Sequence, residues 1–199
     1  MITLSLAGLR IPKAVLIPFI IAVMVCSYGL WQYSDRFKSS VHDPSVSQTS
    51  DDMAPLFTLR DVDGTAFSLD QFDDRVKVIH FMVVGCKGQV NHFNEHQMRE
   101  LSEICGMFCD EEEVTIFTVA ISTCESSELE EIREAYNITW IFGNDYDDGR
   151  VDIMESYMRY SIFDGSILIL DESFNVVNVY IDEITSESLF STISELLEV

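Results

Sequence analysis

The sequence predicts an α/β domain with a central mixed sheet flanked by helices, carrying an N-terminal β-hairpin and preceded by a single N-terminal transmembrane helix. Three observations lead there. Val76–Val84 and Val114–Ser122 are nearly continuous apolar runs, the pattern of inner parallel strands buried on both faces. Helical stripes follow each run, and an antiparallel strand pair with a last amphipathic helix closes the chain. Ahead of all this, residues 14–34 (AVLIPFIIAVMVCSYGLWQYS) are 21 uncharged residues in a row.

That uncharged run is long enough, at about 31 Å as a helix, to cross the hydrocarbon core of a bilayer. Arg10 and Lys13 flank its near end, and Trp31 and Tyr33 sit where aromatic rings favour the interface. The expected organisation is a cytoplasmic N-terminus at 1–13, a transmembrane anchor at 14–33, a flexible linker at 34–54 and a folded domain at 55–199. A cleaved signal peptide is the alternative, but no small-x-small site closes the run. Cys26 follows Val-Met-Val, where lipidation would want a small residue, and reads as a packing residue. The linker (SDRFKSSVHDPSVSQTSDDMA) is polar, serine-rich and without apolar period.

In the domain, Leu56–Leu59 and Thr65–Ser68 form a hairpin around Asp61-Val62-Asp63-Gly64. Val76–Val84 is the first buried strand. Residues 87–109 place Val90, Phe93, Gln97, Leu101, Ile104 and Phe108 on one helical side. Val114–Ser122 is the second buried strand, and Ser127-Glu128-Leu129-Glu130 reads as a capping box before a helix with Leu129, Ile132 and Tyr136 on its face. A short strand is expected at Thr139–Phe142 and a helix near Val151–Tyr160. Ile167–Leu170 and Val176–Tyr180 form the antiparallel pair, and the final helix presents Leu189, Phe190, Ile193, Leu196 and Leu197.

The 199 residues carry 34 acidic and 12 basic side chains, a formal net charge of −22, which excludes a general nucleic-acid binder. The charge is uneven: residues 1–34 hold Arg10, Lys13 and no acid, while from residue 40 onward there are 33 acidic and 8 basic residues. Such a surface stays hydrated and is repelled by anionic headgroups, consistent with a domain held off the membrane on a tether.

Three segments carry a resemblance. APLFTLRDVDGTAFSLDQFDDRVKVIHFMVVGC resembles the opening of the TlpA, SCO and peroxiredoxin branches of the thioredoxin-like superfamily, where a hairpin and an S-L-x-x-F turn precede the strand delivering the reactive cysteine. VTIFTVAISTCESSELEEIREAYNITWIFGND resembles the next segment, and SILILDESFNVVNVY the terminal hairpin. Together they span about residues 54–199. The resemblance implies a thioredoxin-like fold with a degenerate active-site motif, and makes Cys86 the central residue, at a strand end and a helix start. Helix amides and Lys87 would there stabilise a thiolate; an inert buried thiol is the alternative.

The departures are specific. Cys86-Lys87-Gly88-Gln89 lacks the second cysteine of C-x-x-C. Val90 stands where a SCO-type C-x-x-x-C needs its second cysteine, and no histidine falls near Phe163 or Asp164. Ile79 and Val83 take the Pro and Thr places of a peroxiredoxin, and Gly165-Ser166 replaces the cis-proline that faces a thioredoxin site. Cys124, ending the second strand, is the candidate partner, because the fold implied by the resemblance sets that strand parallel and adjacent to the one ending at Cys86.

Other candidates are weaker. Cys105 and Cys109 are i, i+4 at a helix end. His92 and His96, also i, i+4, have metal-binding spacing but sit on a solvated face. Asn144–Glu155 loosely mimics a calcium loop, with Tyr146 where an oxygen ligand belongs, and Asn137-Ile138-Thr139 is a glycosylation sequon. No metal and no cofactor are expected. The resulting expectation is a thiol–disulfide oxidoreductase at the cell membrane, single-pass, its domain facing the extracytoplasmic side and acting on protein thiols or disulfides outside the cytoplasm. The catalytic pair is Cys86 and Cys124, supported by Lys87, Gly88 and Gln89. A non-catalytic thioredoxin-like binding or chaperone module, or a SCO-like copper-site assembly factor, are the alternatives.

Overall fold

A computed structural model describes residues 53–85, 89–110, 112–147 and 150–197. Its main sheet has the strand order β5-β4-β3-β8-β9. The two apolar runs are its centre, β3 (Val76–Val84) and β4 (Val114–Ser122), paired in parallel over their whole length. β5 (Ile141–Asn144) adds in parallel to the outer side of β4. β8 (Ile167–Leu170) pairs antiparallel with β3, and β9 (Val176–Tyr180) antiparallel with β8. The mixed sheet expected from the sequence is therefore the observed one. β1 (Thr58–Arg60) and β2 (Ala66–Ser68) form the expected separate hairpin, and β6 (Tyr146–Asp147) pairs with β7 (Arg150–Val151) in a short ribbon that periodicity did not reveal.

Alternation along β3 sorts the core into two layers. Val76, Val78, Met82 and Val84 face one side, with Met98, Leu101 and Ile104 of α1 (His92–Phe108), Leu129 and Ile132 of α2 (Ser126–Ala135), and Leu189 and Ile193 of α4 (Ser186–Leu197). Ile79 and Phe81 face the other side, with Phe57 and Leu59 from the hairpin region and Ile153 and Tyr157 of α3 (Asp152–Tyr157). Lys77 interrupts the apolar run yet is fully buried. Its ammonium donates to the carbonyls of Asp171 (3.1 Å) and Glu172 (2.8 Å) and lies 4.0 Å from the centre of the Phe174 ring.

Several boundaries differ from expectation. Met53 and Ala54, expected in the linker, already dock on the β8–β9 turn, where Ala54 N–H donates to the Phe174 carbonyl at 2.8 Å. α2 begins at Ser126, and its start is tied by Glu125 N–H donating to the Glu128 carboxylate at 3.0 Å, two residues before the expected box. α1 begins at His92 and not at Cys86, because Asn91 takes the cap and accepts from Asn94 N–H at 2.8 Å. Among the described residues no helix is long and apolar enough to cross a membrane. The expected transmembrane segment at 14–33, and the linker as far as residue 52, lie outside them.

Candidate active site

The carboxyl ends of β3 and β4 lie side by side. Their ladder finishes at Val84 opposite Ser122, an offset of 38 residues, the same as separates Cys124 from Cys86. Cys86, Lys87 and Gly88 lie outside the described residues. The residues on either side of them are tied together: Gly85 N–H donates to the Gln89 carbonyl at 2.9 Å, and Gln89 itself is exposed. α1 begins at its Asn91 cap, five positions after Cys86 in the sequence.

Cys124 is half-buried, and its thiol donates to the carbonyl of Gly85 at 3.3 Å, one peptide bond from Cys86. Two side chains hold it there. Cys124 N–H donates to Ser122 Oγ at 3.0 Å, while Asn144 at the end of β5 accepts from Ser122 N–H (3.1 Å) and donates to the Ser122 carbonyl (2.9 Å). That engagement also takes Asn144 away from the calcium-loop reading.

Facing these strand ends is the turn before β8. Asp164 accepts from Val83 N–H (2.8 Å) and Asn94 Nδ2 (2.7 Å) through one oxygen, and from Asn91 Nδ2 (2.7 Å) through the other. It thus clamps the end of β3 to the start of α1, and both its oxygens are committed where a SCO-type site would hold a histidine. Gly165 follows with φ +86°, and a Cβ there would lie 1.9 Å from Phe93 Cε1, so glycine is demanded both by conformation and by space. Its N–H donates to the Phe81 carbonyl at 2.7 Å. There is no cis peptide among the described residues.

Beneath the clamp runs a buried polar chain that sequence reading missed. Since the Asp164 carboxylate only accepts, Asn94 must turn its Nδ2 towards it and its Oδ1 towards His80. His80 Nε2 therefore donates to Asn94 Oδ1 (3.3 Å), and its Nδ1 accepts from the Thr118 hydroxyl (3.4 Å). Thr118 accepts in turn from Trp140 Nε1 at 2.9 Å. Burial drives the His80 pKa down to about 4, keeping it neutral. The one signal in the sequence was a histidine inside an apolar strand.

His96 cannot lend a free nitrogen to a pair with His92: its Nε2 donates to the Ile184 carbonyl (3.1 Å) and its Nδ1 accepts from Arg99 (3.0 Å).

No protein-family model matches this sequence, and no curated protein matches it. Solved structures do. The thioredoxin domain of a thiol-disulfide oxidoreductase from Bacteroides vulgatus is 21% identical with a TM-score of 0.58, over 75% of this chain and 98% of that one. A thiol:disulfide interchange protein from Bacteroides sp. is 21% identical with a TM-score of 0.60, over 74% and 89%. A thiol-disulfide oxidoreductase from Bacteroides fragilis is 17% identical with a TM-score of 0.56, over 72% and 98%. The fold of this chain is thioredoxin-like, as its sequence resemblance implied.

Proposed function

We propose that the chain is a membrane-anchored, extracytoplasmic thiol–disulfide oxidoreductase, in which Cys86 is the attacking thiol and Cys124 its resolving partner. The observation that carries this reading is the Cys124 thiol on the carbonyl of Gly85, the residue before Cys86. The shared offset of 38 residues supports it, since parallel neighbours lie about 4.8 Å apart, inside the Cα range a disulfide accepts.

The chemistry balances as an exchange. The Cys86 thiolate attacks one sulfur of a substrate disulfide, forming a mixed disulfide and expelling the other substrate sulfur as a thiolate, which takes up a proton. The Cys124 thiolate then attacks the Cys86 sulfur, releasing the second substrate thiolate. Two electrons have passed to the substrate, and the chain holds a Cys86–Cys124 disulfide until a dithiol protein reduces it. Run backwards, the same steps oxidise a substrate dithiol. Val83 and Phe163, both exposed and both beside the Asp164 clamp, offer apolar contact to a polypeptide substrate.

Non-reducing digestion of the oxidised full-length chain is expected to yield a peptide pair linking Cys86 to Cys124. Its absence, with Cys86 resistant to alkylation in the folded reduced chain, would favour a non-catalytic binding module. The start of α1 at His92, six positions after Cys86 in the sequence, is the observation on that side.

The anchor has its own test. Arg10 and Lys13 before the uncharged run support an N-terminus in the cytoplasm. Protease added to intact spheroplasts is expected to digest residues 40–199, and full protection would reverse the topology.

A further inference from the structure

Asn137-Ile138-Thr139 is the one Asn-x-Ser/Thr triplet in the sequence, and the candidate active site makes no use of it. The triplet closes α2 and leads towards β5. Asn137 has φ +50°, its N–H donates to the Glu134 carbonyl at 3.2 Å, and Ile138 N–H donates to the Arg133 carbonyl at 2.9 Å. A left-handed residue just past a helix end is most often glycine, sometimes asparagine, so this turn accounts for Asn137 by itself. It accounts neither for Thr139 nor for the way the triplet is displayed. Ile138 and Trp140 are buried in the core, while Asn137 and Thr139 are exposed. The carboxamide and the hydroxyl of the triplet are therefore both carried at the surface by a turn whose intervening residue is anchored. The Thr139 hydroxyl rests 3.7 Å from the Cys105 sulfur, a weak contact.

We infer that Asn137 is an N-glycosylation site, its carboxamide nitrogen taking a glycan from a lipid-phosphate-linked donor. In the transfer the C1–O bond between glycan and lipid phosphate breaks, a bond from Asn137 Nδ2 to C1 forms, and one amide proton leaves with the departing phosphate. No electrons change hands. The inference rests on the extracytoplasmic location proposed above, because such donors are used on that face of the membrane. The position suits a bulky, hydrated substituent. Cys124 precedes α2 and Asn137 follows it, so the ten residues of the helix, about 15 Å, stand between the glycan and Cys124. Sugar attached there leaves the Cys124 thiol uncovered, and Asn137→Gln is expected to leave disulfide reduction unchanged.

The test uses the full-length chain isolated from the membranes of its native cells, digested with trypsin and read by mass spectrometry. Cleavage after Arg133 and Arg150 frees residues 134–150, which hold Asn137. That peptide is expected to carry a glycan on Asn137, a readout that needs no variant. The glycan is expected to be lost in Thr139→Ala, which leaves the Asn137 turn in place, and kept in Thr139→Ser. Asp63→Asn supplies a control, since with Gly64 and Thr65 it makes a second triplet in the exposed turn of the β1–β2 hairpin. A glycan at residue 63 with residue 137 bare would overturn the site and leave the extracytoplasmic location standing. A glycan at residue 137 that survives Thr139→Ala would overturn it too. Both residues bare in a chain that external protease digests would overturn the site alone. Both bare in a protected chain would overturn the site together with the location it rests on.

Discussion

Cys86→Ser is expected to abolish reduction of a protein disulfide by the chain, and Cys124→Ser is expected to slow multiple turnover by at least about 100-fold while trapping a covalent adduct with substrate. The two variants should differ because the proposed mechanism uses the two sulfurs in different steps. Without Cys86 no mixed disulfide forms. Without Cys124 it forms and stays, since the remaining escape is attack by an external thiol, and a neighbouring group held in place has an effective concentration far above that of any free thiol. Serine keeps the size and the hydrogen bond to Gly85, so the tie between Gly85 and Gln89 is left alone. Insulin reduction followed by turbidity gives the rates, and non-reducing gels give the adduct. Normal turnover by Cys124→Ser would remove Cys124 from the mechanism. Residual turnover by Cys86→Ser would remove the mechanism itself.

The second large effect is on stability, and His80 carries it. Its folded pKa of about 4 lies below the ordinary value of 6.5, with burial as the leading cause and the Asn94 hydrogen bond only partly offsetting it. The unfolded chain therefore takes up a proton at His80 as pH falls below about 6.5, whereas the folded chain does not until about 4. Stability is fully present above the upper value and is lost across that window, on the order of 3 kcal/mol by its acid end. His80→Gln retains a donor towards Asn94 and an acceptor towards Thr118 but does not titrate. Urea unfolding of both chains at pH 7 and pH 4.5 is the measurement. The wild type is expected to lose about 2–3 kcal/mol more than His80→Gln between those pH values, and equal losses would mean that His80 is not held neutral in the core.

Much of the fold was legible because burial enforces short periods. β3 and β4 could be read from unbroken apolar runs, and α1 from a stripe at helical spacing, since each pattern is imposed inside a window of ten or so residues. Where α1 starts was not legible. The sequence placed its start at Cys86, whereas Asn91 caps it because its side chain accepts from Asn94 N–H and donates to Asp164, 73 residues away. The β6–β7 ribbon was too short for any period to announce.

The candidate site divides along the same line. The resemblance made Cys124 the candidate partner of Cys86, and the sequence showed the missing C-x-x-C cysteine and cis-proline. It could not find the clamp and polar chain beside the end of β3, because Asp164, Asn94, His80, Thr118 and Trp140 come from five separate parts of the chain. Their partners are chosen when distant segments pack and each buried donor or acceptor must be satisfied by whatever group then lies within reach. Local pattern determined which elements this chain forms; ladder register and buried hydrogen bonding, which exist only once the sheet and α1 have met, decided that Cys124 points at the carbonyl of Gly85 and that a neutral histidine stands under Asp164.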